Sequence, residues 1–109
     1  MTRDRLERLC RLAQMVHEHE LARTSRLSAA REATRARLCK LTTPVPLALD
    51  PTLFAARQAH LQWAAAQRMR LNQRLALESA RLIEQRRRTA RSLGRVEALG
   101  KLRRSHAPC

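Results

Sequence analysis

A chain of 109 residues with net charge +14, from 23 basic and 9 acidic residues, has room for one domain but offers one Trp, one Phe and no Tyr for its core. Without large side chains it cannot wall a deep pocket between two layers of structure, the usual seat of small-molecule chemistry, so neither enzyme activity nor a cofactor is expected. No apolar run approaches the roughly 20 residues that span a bilayer.

Helix one is predicted over 2–42. Thr2 supplies a capping hydroxyl, and Asp4 places a carboxylate in the first turn, where both favour the exposed amides and the helix dipole. Met1-Thr2-Arg3-Asp4-Arg5 opens an amphipathic helix and not a secretory leader, and the acids Asp4, Glu7, Glu18 and Glu20 argue against a mitochondrial one. The expected compartment is the cytoplasm. A turn follows over 43–51, because Pro44, Pro46 and Pro51 each lack an amide proton and push the preceding residue towards extended geometry. Asp50-Pro51 then reads as an N-cap followed by proline at the first helical position. Helix two is predicted over 51–104, with no glycine before Gly94 and Gly100, and a frayed tail over 105–109.

Each arm repeats every seven residues: Leu6, Ala13, Glu20, Leu27, Thr34 and Leu41 in the first, and Phe54, Leu61, Arg68, Leu75, Leu82, Thr89 and Val96 in the second. Such recurrence marks helices packed along a seam. The fold class is therefore all-α, one long antiparallel two-helix coiled-coil hairpin. Folded about the proline turn, the series pair as 41 with 54, 34 with 61, 27 with 68, 20 with 75, 13 with 82 and 6 with 89. This register leaves Arg95 to Arg104 as a basic overhang. Glu20, Arg68 and Thr34 interrupt the seam, and its companion positions Arg57, Ala64, Leu71, Glu78, Gln85, Ser92 and Leu99 are half polar. Such a rod is either a loosely packed coiled coil or one that finishes its packing against a partner.

Charge divides unevenly, with net +4 over residues 1–52 and net +10 over 53–109. Anionic partners are favoured: nucleic acid, a membrane surface or an acidic protein face. Arg86, Arg87, Arg88, Arg91 and Arg95 are the candidate contact residues. Their bland outcome is a solvated cationic face, and their functional outcomes are phosphate contact or insertion into an acidic protein ring. Sequence-specific reading of nucleic acid is not expected without a helix-turn-helix, a zinc site or aromatic stacking platforms. Trp63 falls off the main seam, as either a hairpin-edge contact or a partner hot spot.

Cys10, Cys39 and Cys109 form an odd set. The register sets Cys10 across from about residue 85 and Cys39 across from about residue 56, so no two reach the roughly 4.4 to 6.8 Å between α-carbons that a disulfide needs. That suits a reducing compartment. His17, His19, His60 and His106 do not assemble a metal site and read as solvent-facing or seam-edge residues. No catalytic constellation or phosphate loop is present.

The plan resembles the FliJ family of flagellar export proteins and the related YscO-type proteins of type III secretion, small Arg- and Gln-rich antiparallel hairpins. The local likeness is Arg-Thr-Ala-Arg-Ser-Leu-Gly-Arg-Val-Glu-Ala-Leu, residues 88 to 99, similar to the late second helix of short members. The resemblance implies a cytoplasmic stalk, peripheral at the membrane export apparatus. Its end carrying both termini, here Met1 to about Ala13 with Ser79 to Arg104, would enter the hexameric export ATPase and promote its assembly or turnover. It also implies contacts with the export gate and with substrate chaperones. Two other classes stay open on the residues alone: a nonspecific nucleic-acid-binding helical protein, and a coiled-coil assembly adaptor.

Overall fold

The computed structural model describes residues 2–41 and 50–106. Its elements are α1 (Arg3–Leu41) and α2 (Pro51–Ser105), and no strand occurs among the described residues. The chain is an all-α helical hairpin. Apart from Asp50 and Pro51, the turn expected over 43–51 lies outside the described residues, as does Thr42. Ser105 is still helical, His106 sits in a turn, and the rest of the expected tail is likewise outside.

Both helices start where their caps dictate. The Arg5 amide donates to Thr2 Oγ1 at 3.3 Å, which satisfies an amide of the first turn that has no partner within the helix, and the Leu6 amide donates to the Thr2 carbonyl at 3.0 Å as the first helical bond. At α2 the Thr52 amide donates to Asp50 Oδ1 at 2.9 Å and the Phe54 amide to the Asp50 carbonyl at 2.8 Å, with Pro51 at the first helical position. Gly94 and Gly100 remain inside α2 with ordinary negative φ.

Side-chain burial follows a four-three alternation. On α1 it runs through 6, 10, 13, 17, 20, 24, 27, 31, 34, 38 and 41, and on α2 through 57, 61, 64, 68, 71, 75, 78, 82, 85, 89, 92, 96 and 99, with 7, 9, 28, 67, 79 and 100 half-buried at its edges. On α2 this is the heptad seam facing α1 from Arg68 onward, where Arg68 stands across from Leu41, and it is carried by the repeat and its companion series.

The residues gather into two compact units, Met1–Ser28 with Arg81–Cys109, and Ala29–Ala80. In the first, Leu6 and Leu82 are fully buried, each worth about 1.5 to 3 kcal/mol relative to exposure. Between them runs a ladder of polar pairs. Cys10 Sγ donates to the Leu99 carbonyl at 3.5 Å. His17 Nδ1 lies 2.7 Å from Ser92 Oγ, and Ser92 spends its one hydroxyl proton on the Thr89 carbonyl at 2.8 Å, so His17 is the donor from Nδ1. Thr24 and Thr89 join their hydroxyls at 2.8 Å, and Gln85 Nε2 donates to the Glu20 carboxylate and, at 3.2 Å, to the Glu20 carbonyl. His17 is thus buried inside the seam, not solvent-facing, because its ring has a partner there.

In the second unit the buried apolar residue is Ala64, and Thr34 and Glu78 are buried as well. The Thr34 hydroxyl bonds the Glu78 carboxylate, which also stands 3.9 Å from Arg74 one turn earlier on α2. Half-buried Arg31 and Arg68 occupy seam positions here, Arg57 is half-buried nearer the start of α2, and the Nε of each is buried without a hydrogen-bond partner.

The expected register is corrected. Cys10 meets Leu99 in place of residue 85, fourteen residues further along α2, and His17 with Ser92 repeats the same offset. In the same register Thr34 stands across from Leu75 in place of Leu61, and its hydroxyl reaches Glu78 about one turn further along. A slip of two whole heptads returns every seam position to the seam, so the apolar repeat cannot distinguish the two alignments. Polar pairs can, because burying a hydroxyl, amide or imidazole without a partner costs about 1 to 3 kcal/mol each. The basic overhang is corrected with it. Val96 and Leu99 are half-buried seam residues, and the segment from Arg95 to Arg104 lies alongside the start of α1.

Candidate partner-binding face

The five candidate arginines all stand on α2 in the first unit, but they do not share one face. With residues about 100° apart, Arg88, Arg91 and Arg95 fall on one flank of the seam defined by Gln85, Thr89 and Ser92. Arg87 turns to the back of the helix, and Arg86 falls on the opposite flank. All five are exposed.

Glu84 holds the cluster in place. Its carboxylate lies 3.8 Å from Arg87 Nη1, 4.0 Å from Arg88 Nε and 3.6 Å from Arg91 Nη2. One negative charge is shared among three guanidinium groups, so the segment from Glu84 to Arg95 keeps a net charge of +4. Exposed pairs of this kind are worth about 0.2 to 1 kcal/mol, so the guanidinium groups exchange readily onto an incoming carboxylate or phosphate.

Arg88, Arg91 and Arg95 also form one wall of a cleft between the two helices, opposite Val16 and Glu20 of α1. Beyond Val16 and Arg95 the cleft continues as an apolar groove lined by Leu9, Leu12, Ala13 and Val16 from α1 and by Ser92 and Leu99 from α2. Leu12 is 57% exposed. The spacing of Leu9, Leu12 and Val16 sets them on one helix flank beside the seam, a signal present in the sequence but hidden by the stronger heptad. On the other flank Cys10, Arg11 and Gln14 face Val96, Gly100, Lys101, Arg103 and Arg104.

Trp63 belongs to the second unit and the five arginines to the first. It is 53% exposed, its ring centroid 5.7 Å from that of His60 one turn earlier on α2. Among the described residues no three His, Cys, Asp or Glu side chains are grouped to hold a metal ion, and no helix is long and apolar enough to cross a membrane. A scan against protein-family models finds no match, and searches of curated proteins and of solved structures give none either.

Proposed function

We propose that the chain is a coiled-coil stalk and regulator of a flagellar or type III protein-export apparatus, engaging the hexameric export ATPase and promoting its assembly or turnover. It would work in the cytoplasm, peripheral to the membrane export apparatus, with the export gate and substrate chaperones as further partners. One observation supports this reading above the others: an unbroken heptad seam pairs the start of α1 with the end of α2, so the part of the hairpin bearing both termini is a paired, cationic rod. The FliJ-like plan of the sequence supports it from a second side. No catalytic group is called for, because a rod alters turnover by binding the ring's conformations unequally.

Arg87 and Arg91 would meet acidic loops of the ring in place of Glu84. Reversing both, Arg87→Glu with Arg91→Glu, is expected to abolish stimulation of the purified ATPase while helicity by circular dichroism stays unchanged. Unchanged stimulation sinks the assignment. The net charge of +14 serves nonspecific nucleic-acid binding as well. That reading requires affinity for a duplex oligonucleotide that falls steeply and linearly with the logarithm of salt concentration. An assembly adaptor would bind its protein partner with no effect on ATPase turnover.

A further inference from the structure

We infer that the groove walled by Leu9, Leu12 and Val16 of α1 and by Arg88, Arg91 and Arg95 of α2 is a docking site for an acidic amphipathic helix of a partner protein. The inference goes beyond the stalk reading and holds whichever assembly the hairpin serves.

Two stripes of side chains meet along this cleft. The α1 stripe, spaced three then four residues, is apolar and remains exposed at Leu12 and Val16 after the hairpin has closed. The α2 stripe has the same three-then-four spacing and is wholly guanidinium. Val16, Ser92 and Arg95 line both the apolar and the charged stretch, so the two form one continuous groove. From Leu9 to Glu20 it runs about 16 Å, the length of three helical turns. A helix laid in it with apolar residues every three or four positions would cover Leu9, Leu12 and Val16, as amphipathic helices fill grooves elsewhere. Carboxylates on its flank would meet Arg88, Arg91 and Arg95, of which Arg88 and Arg91 lie against Glu84.

Charge complementarity selects the occupant. The first unit carries 15 basic and 6 acidic residues, so a second copy would set arginine walls against arginine walls. Nucleic acid would reward the arginines but leave the leucine stripe in water.

The test uses the full chain and a fluorescein-labelled 18-residue peptide with leucines on one helical face and glutamates on both flanks, titrated by anisotropy at about 0.15 M salt. Binding at least about tenfold tighter than to the same peptide with serines for leucines is expected. Leu12→Ser with Val16→Ser should weaken it about tenfold, as should Arg91→Glu with Arg95→Glu. Arg103→Glu with Arg104→Glu, outside the groove, should leave it within about twofold. Circular dichroism on each variant confirms that the helices persist. Equal binding by the serine peptide, or by the Leu12/Val16 variant, reduces the groove to a general anion surface and overturns the proposal. So does displacement of the peptide by a duplex oligonucleotide at equal concentration, or a concentration-dependent dimer by sedimentation that the Leu12/Val16 variant abolishes. Leu12 and Val16 take no part in the ATPase test above, so the two readings fail separately.

Discussion

The two units share one heptad geometry but fill it with different chemistry. Where Met1–Ser28 pairs with Arg81–Cys109, the seam is closed by Leu6 and Leu82 and carries mostly neutral polar groups, each with a partner across the interface. In Ala29–Ala80 the same positions hold Arg31, Arg68 and Glu78 between the half-buried Leu38, Leu41, Leu71 and Leu75, and the fully buried apolar residue is an alanine. Seam geometry therefore does not by itself set stability. A satisfied neutral rung costs little to bury, whereas a guanidinium with an unpartnered buried Nε loses hydration and gains no bond in return. The first unit should be the more stable, and amides of its seam should show the slower hydrogen exchange. Equal protection in both would remove the distinction.

Leu82→Ala breaks the comparison with the largest effect. Leu82 has 0% exposure, and truncating such a side chain leaves a cavity that neighbouring helices fill only in part. A loss of about 2 to 4 kcal/mol is expected in urea unfolding followed by circular dichroism, with exchange accelerating first in the seam around Leu6 to Leu27. A loss below about 1 kcal/mol would mean that the polar rungs, and not the leucines, hold the first unit.

Arg31→Leu sharpens the same comparison from the other side. It replaces a half-buried guanidinium with an apolar knob at a seam position, supplying to the second unit what Leu82 supplies to the first. The variant should be more stable by about 1 to 2 kcal/mol, read as a raised urea midpoint with unchanged slope. Destabilisation instead would show that Arg31 neutralises Glu78 across the seam, and that charge holds this unit together.

Much of this architecture is legible in the residues. Thr2 and Asp50-Pro51 mark both helix starts, and the α2 seam follows the two expected series from Arg68 onward, whereas Phe54, expected to face Leu41, is exposed. Register is where the pattern runs out. The seven-residue repeat looks the same after a slip of seven or fourteen, so placing Cys10 against Leu99 depends on which hydroxyls, amides and imidazoles can satisfy one another. His17 and Ser92 are individually unremarkable polar residues, and only their pairing, 75 positions apart, reveals what they do. The candidate site divides in the same way. The arginine run is visible at once, but which three of the five line the cleft depends on the seam direction, and the Leu9, Leu12, Val16 stripe gains meaning only once Arg95 is seen beside it.

Gly94→Ala carries the smallest expected effect and separates two causes that the other variants leave mixed. Gly94 is exposed on α2, off the seam, and a methyl group built there meets nothing within 4 Å. Its φ is not positive, so alanine fits without strain. Alanine also restricts the unfolded chain more than glycine does, which favours the helix by about 0.5 to 1 kcal/mol without adding any contact across the seam. Stability should rise by that amount, and exchange should slow across the first unit. If protection rises equally in Ala29–Ala80, the hairpin unfolds as one cooperative body and the difference in seam chemistry is averaged over its length. If the gain stays within the first unit, the two seams melt separately, and the charged seam opens while the unit bearing the arginine-walled groove remains intact.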